Sequence, residues 1–392
     1  MINLGKGARK MKARMAAIDA GNDGFKCLFS GLNKENEVYI PNVIAKANET
    51  RDIVELEKKV LDGLHVEVTS SALEQGRGIY VVGKLAARNQ DSDELTADKN
   101  KSENDQTLIV FLTALAFDGV QHFEEKDGII DATYVISTGL PLEEVKKKKK
   151  RTFKEKLIKS THEVKFRDTP YVGGKTVRIK IVDALVNTEG HAAMFDLTTN
   201  DDGSIKNEEL TKVTFLINDI GGLSTDLAII DESGNIDNDH SDGIKEGVSP
   251  YLDEIIRRVY SEYGYRFKSR RELVNIITDD SEDKNHIYVI GTKTPIKKFV
   301  DEELMKLARK EYSLIKNMWA KVPSIRLSYQ IGGGALILKE YMEKLNEQDK
   351  NFPLRFVGKK DSVWMIARAY FKLLRIYVKR KGIDVENSIK VE

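Results

Sequence analysis

A single cysteine, Cys27, stands among 392 residues, so no intrachain disulfide is possible and a reducing compartment suits the chain. It lies in an apolar stretch and reads as a small core residue rather than a nucleophile. No run approaches the ~18 consecutive apolar residues of a membrane-spanning helix. Charge of either sign is not in excess: the formal net charge of +1 gives no overall pull toward nucleic acid or an anionic membrane. The sequence has no G-x-x-x-x-G-K-[ST], which excludes a Walker-type phosphate loop. No internal repeat is visible. The basic segment Met1 to Lys12 lacks the apolar core of a signal peptide. It is expected to be a frayed leader or the product of an upstream start, with Met11 and Met15 as other starts, rather than a membrane-surface arm.

What is present is a globular balance, 41% apolar and 32% charged, in a chain long enough for two domains. The most informative stretch is Asn218-Asp219-Ile220-Gly221-Gly222-Leu223-Ser224-Thr225-Asp226. Apolar runs lead into and out of it, which predicts a β-hairpin with a tight glycine turn. Gly221 and Gly222 let the backbone approach a ligand, and the turn N–H groups with the Ser224 and Thr225 hydroxyls suit phosphate oxygens. Asp219 and Asp226 stand at its ends, where carboxylates near phosphates commonly serve a hydrated Mg²⁺. The plain alternative is an ordinary hairpin with two surface aspartates.

The same device occurs earlier. The strand Met15 to Ile18 ends in Asp19, a turn follows with Gly21, Asn22, Asp23 and Gly24, and an apolar strand leaves. Lys26 there can place a point charge on a β- or γ-phosphate. Neither hairpin feeds a helix, so a Rossmann fingerprint fits poorly. A third glycine cluster, Gly332-Gly333-Gly334, ends an apolar strand and precedes an amphipathic helix, whose N-terminus favours an anion.

Taken in order, these motifs resemble the two phosphate motifs and the adenosine motif of the superfamily of actins, heat-shock chaperone ATPases and sugar kinases. Within it, the chain is most similar to bacterial plasmid-segregation actins of the ParM type. Ser137 to Leu142 resembles the TGLP strand end. Val186 to Leu197 resembles the PEGxAAxFDL stretch, with Thr188 in place of proline. Asp361 to Lys372 resembles the ANARGYYK helix, with Ile366 in place of asparagine and Ala369 in place of glycine.

The resemblance implies an α/β, actin-like (ribonuclease H-like) bilobal fold, with two related lobes around a nucleotide cleft. The first lobe would comprise residues 1–188 with about 366–392, the second 189–365. It implies ATP or GTP as substrate, with Asp19 and Asp219 holding Mg²⁺ through water and Glu189 orienting the attacking water. By itself, Glu189 is equally a carboxylate favoured at a helix N-terminus. The family also places the turn Asp242 to Val248 beside the ribose and base, which nominates Glu246 and Gly247. Ser249-Pro250 is a good N-cap and N1 pair for the helix that follows. Lys293 and Lys297 are candidates for the base or another subunit.

The implied function is a nucleotide triphosphatase that polymerises into dynamic filaments in the bacterial cytoplasm. Its partners would be further copies of itself and a DNA-binding adaptor on a centromere-like plasmid site, with no direct nucleic-acid or membrane contact. A small-molecule kinase or a membrane scaffold actin is the alternative. No peptide-binding domain follows the nucleotide motifs, which disfavours a chaperone. Local patterns further predict a strand at Val38 to Ile44, a tip loop from Asp91 to Asp105, and one lysine-rich helix from Glu143 to Lys159. The run Lys146 to Arg151 reads as a solvated helix face or a filament contact, since it lacks the aromatics of a nucleic-acid surface.

Overall fold

Strands buried along their whole length, such as Arg14–Ala20 and Thr225–Ile230, mark sheets covered on both faces. The computed structural model describes residues 12–51, 58–88, 93–94, 100–349 and 351–386. Residues 1–11 of the basic leader, and residues 91–92 and 95–99 of the segment expected to be a tip loop, therefore lie outside the described residues. An 11-stranded sheet carries the first half of the chain. Toward one edge of it the hairpin Arg14–Ala20 and Gly24–Phe29 pairs, through its first strand, in parallel with Ile129–Leu140. A 5-stranded sheet carries the second half. There the hairpin Phe215–Ile220 and Thr225–Ile230 pairs, again through its first strand, in parallel with Leu327–Ile331. The two sheets thus share one plan, a glycine-turn hairpin beside a parallel strand, without a sequence repeat to announce it.

Two helices lie between the sheets. Glu189–Thr198 follows directly from the strand Thr176–Thr188, and Lys359–Lys381 is the last helix among the described residues. Ala192, Ala193, Ala367 and Ala369 are all fully buried and let these helices pack closely. One apolar cluster joins them to Met15, Ala17 and Leu28 of the first hairpin and to Phe215, Ile217 and Ala228 of the second. Asp196 ties the helices together, 2.9 Å from Arg368 and 2.8 Å from Lys372. The outer faces of the sheets have their own cores. The helix Asp105–His122 covers the first, and the helices Ser249–Tyr263, Lys297–Lys321 and Gly332–Glu347 build the second.

Three local expectations are corrected. The strand expected at Val38 to Ile44 is two strands, Glu37–Pro41 and Val43–Lys46, which pair with different neighbours. The break falls at Asn42, whose N–H turns to the Asp23 carbonyl at 3.1 Å instead of joining a ladder. The single helix expected from Glu143 to Lys159 is two, Leu142–Lys146 and Lys149–Lys159, divided at Lys148 with φ 62°. Six successive cations repel along one helix, and the break disperses them. Lys146 bonds the Ser241 carbonyl at 2.8 Å, Lys147 pairs with Glu143, Lys149 with Glu103 and Arg151 with Glu155. Ser249 is the first residue of its helix rather than its N-cap, because its N–H donates to the Gly222 carbonyl at 2.7 Å.

Candidate nucleotide cleft

The spacing within each hairpin fixes what faces what. In the first, Asp19 lies directly across from Lys26, with the ammonium 3.5 Å from Asp19 Oδ2. In the second, Asp219 lies across from Asp226, and the Gly221 N–H closes the turn on the Ser224 carbonyl at 2.9 Å. Both turns must be bare. A Cβ on Gly21 would sit 2.7 Å from the Gly24 carbonyl oxygen, and one on Gly221 2.9 Å from that of Ser224. Between the turns opens a cleft of about 970 Å³. Gly21, Asn22, Asp23 and Lys26 line it from the first hairpin, and Asp219, Gly221, Gly222 and Ser224 from the second.

The third glycine cluster forms the first turn of the helix Gly332–Glu347. Gly332 takes φ +85°, and a Cβ there would meet Asp219 Oδ1 at 2.5 Å. A Cβ on Gly334 would meet Ile220 Cγ2 at 2.5 Å, while one on Gly333 would meet nothing. Gly332 and Gly334 thus seat the helix against the second hairpin, and Gly333 leaves space at its open N-terminus. Further out, Val274, Ile337 and Tyr341 give the cleft an apolar wall. At the mouth, Arg271 stacks over the Tyr39 ring at 4.5 Å, and the Tyr39 hydroxyl donates to Asp23 Oδ2 at 3.0 Å. That contact joins a strand of the first sheet to the helix Arg270–Ile277 across the opening.

The floor holds an excess of carboxylate. Asp19, Glu189, Asp219 and Asp226 line it with only Lys26 and Lys101 opposite among the cleft lysines nearest them. Burial, with Glu189 and Asp19 adding, pushes Asp219 up to about 7. Burial, Glu189 and Asp219 likewise hold Asp226 well above the usual carboxylate range, although Asp226 accepts from the Leu142 N–H at 3.2 Å. Burial also raises Glu189 against the pull of Lys101, whose ammonium lies 2.7 Å away. Among the described residues no group of three or more metal-ligating side chains forms a closed cage. Mg²⁺ keeps waters and is commonly held by one or two carboxylates plus phosphates. Asp219 has no hydrogen-bond donor or cationic partner at bonding distance among the described residues, so the donor set fits a cation beside Asp19 and Asp219.

Residues 17–191 match the family described as the N-terminal domain of actin-like proteins, and residues 214–354 match the Alp7A C-terminal domain. The chain belongs to the actin-like proteins. Alp7A superposes with a TM-score of 0.75 at 19% identity, over 94% of this chain and 97% of Alp7A. ParM of Bacillus thuringiensis with ATP gives 0.68 at 23%, over 95% and 100%. A ParM subunit from a 15-stranded filament of Clostridium botulinum gives 0.69 at 17%, over 93% and 100%. The chain spans 49% of a Bacillus thuringiensis hybrid containing two ParM mutants. No curated protein sequence is significantly similar to it.

In this actin-like protein the nominated residues separate into those on the cleft wall and those behind it. Asp19, Gly21, Asn22, Asp23, Lys26, Glu189, Asp219, Gly221, Gly222, Ser224 and the three glycines 332–334 share the cleft. Thr225 faces away: its hydroxyl lies 2.8 Å from Glu311 Oε1 and 3.0 Å from the Glu246 carbonyl. Gly24 lies under the Tyr39 ring, and Leu223 is buried. The Glu246 carboxylate accepts from the Tyr251 hydroxyl at 2.6 Å and pairs with Lys310, off the cleft wall. Gly247 backs the second turn, where a Cβ would sit 2.6 Å from Gly222 C. Lys297 lines the outer cleft, whereas Lys293 is held by Asp283 at 2.9 Å.

Two contributors were missed in the sequence. Lys101 falls in the segment expected to be a tip loop, yet it reaches the floor. Asn42 supports the first turn, its side-chain amide donating to the Gly21 carbonyl at 3.1 Å. Neither carries a local motif; the polar Lys101 amid a charged segment was indistinguishable from solvated neighbours.

Proposed function

We propose that this actin-like protein binds ATP or GTP with Mg²⁺ in the cleft, hydrolyses it, and assembles into dynamic filaments that segregate plasmid DNA in the bacterial cytoplasm. The observation that carries the reading is the pair of Asp-bearing glycine turns facing one cleft of about 970 Å³, closed on a third side by a glycine-rich helix N-terminus. Residues 1–188 with about 366–392 form the first lobe in this reading, and 189–365 the second. N–H groups of both turns donate to phosphate oxygens, and Lys26 supplies a point charge. Asp19 and Asp219 hold Mg²⁺ through water. When bound, the ion neutralises phosphate charge in the transition state.

Glu189 accepts a hydrogen bond from a water and orients it in line with the γ-phosphorus. The water oxygen forms the new bond to phosphorus, the bond from phosphorus to the β–γ bridging oxygen breaks with its electron pair leaving on the diphosphate, and the water proton ends on an oxygen of the released phosphate. Phosphoryl transfer depends chiefly on such positioning and charge neutralisation. The similarity to ParM structures solved with ATP and as a filament supports both the ligand and the assembly. The proposed partners are further copies of the chain and a DNA-binding adaptor on a centromere-like site. The test is phosphate release from ATP or GTP with Mg²⁺ as protein concentration is raised. Release that climbs steeply above a threshold concentration is expected of assembly-coupled hydrolysis. Release strictly proportional to protein, or none, would contradict it.

A further inference from the structure

Lys101 enters the cleft from a segment whose backbone is pinned in place. The Glu144 carboxylate accepts from the Lys101 N–H at 2.9 Å, the Ser102 N–H at 3.1 Å and the Ser102 hydroxyl at 2.6 Å. The side chain then runs inward, 8% exposed, to set its Nζ 2.7 Å from Glu189 Oε1. Among the described residues this is the ammonium's one hydrogen bond, although it carries three N–H donors. It is also within electrostatic reach of Asp19, Asp219 and Asp226, which come from both hairpins. A pair kept for stability alone has no reason to stand on a cleft wall, and buried ion pairs are often no better than apolar side chains in that role. Here both partners line the cleft.

We propose that Lys101 senses the terminal phosphate of a bound nucleoside triphosphate, leaving Glu189 for a γ-phosphate oxygen when one arrives. The inference rests on the nucleotide reading of the cleft. A γ-phosphate offers several charged oxygens to an ammonium that already faces the cleft, a stronger acceptor set than one carboxylate. Glu189, released, turns to the water. A diphosphate has no oxygen at that position, so Lys101 stays on Glu189 and occupies the carboxylate. No bond to Lys101 forms or breaks and no proton leaves it.

Calorimetry tests this with AMPPNP against ADP and GMPPNP against GDP, each with Mg²⁺. The proteins are the wild type, Lys101→Ala, Lys101→Arg and the double variant Lys101→Met with Glu189→Gln. The double variant leaves no unpaired carboxylate at position 189, where Lys101 makes its hydrogen bond, so it decides the matter where Lys101→Ala fails to fold. Lys101→Ala and the double variant are expected to weaken the triphosphate analogue about tenfold or more while leaving the diphosphate within about twofold, with Lys101→Arg retaining part of the discrimination. A purely structural lysine would weaken both ligands alike. That result, or no change in either, overturns the sensor role while the wild type still binds and the nucleotide cleft stands. A wild type that binds none of the four ligands overturns the nucleotide reading and this inference with it.

Discussion

Glu311 sits behind the second hairpin with no exposure, 2.8 Å from the Thr225 hydroxyl and 3.4 Å from Asn218 Nδ2. Burial pushes its carboxyl up to about 7 in spite of those bonds. Between the ordinary value of 4.5 and about 7, the folded chain keeps a proton that the unfolded chain has released. The carboxyl's contribution is therefore whole below pH 4.5 and is lost as pH rises toward 7, by about 2–4 kcal/mol in total. Glu311→Gln should gain on the wild type by that amount between pH 5 and pH 8 in chemical denaturation. A constant difference across the range would contradict the assignment. At this scale the sequence was legible where spacing is local: Asp19 with Lys26, and Asp219 with Asp226, are placed opposite one another by hairpin register alone. Lys101, Asn42 and Glu311 reach the same region through tertiary packing, which no local pattern encodes.

Whole elements are positioned by glycines that act as contact surfaces. Gly247 presses on the second turn, with its Cβ position 2.6 Å from Gly222 C and O. Gly247→Ala should therefore cost about 1–3 kcal/mol by overpacking. Gly333→Ala faces open space and should leave stability unchanged or slightly improved, since alanine is the better helix residue. The same methyl group would stand where the nucleotide reading puts ligand, so it should weaken nucleotide binding. Thermal melts paired with calorimetry check both variants; a Gly333→Ala protein that binds as the wild type does would contradict the bare-backbone role. Strand and helix existence was legible from apolar pattern and glycine punctuation. The breaks at Asn42 and Lys148 were not: the first turns on a distant acceptor, the Asp23 carbonyl, and the second disperses six successive cations among partners that include Glu103 and the Ser241 carbonyl. The Ile366 and Ala369 departures leave the last helix intact, with Tyr370 packed against Gly139 at the end of a central strand.

At the scale of the molecule, two sheets of like plan meet through two helices and a shared apolar cluster. Their likeness lies in topology rather than in residues, so no repeat appears in the sequence. Contacts that cross between the halves gather around the cleft. Leu142 donates to Asp226 at the floor, Lys146 to the Ser241 carbonyl beside it, and Arg271 covers Tyr39 at the mouth. A ligand that changes the distance between the two glycine turns must load these contacts, which is the route by which nucleotide state would reach subunit surfaces in the proposed filament. The most direct measurement is right-angle light scattering after adding ATP or GTP with Mg²⁺, in the wild type and in Glu189→Ala. The account predicts a rise followed by decay in the wild type and a rise that persists in the variant. No rise with either nucleotide at any protein concentration would contradict it.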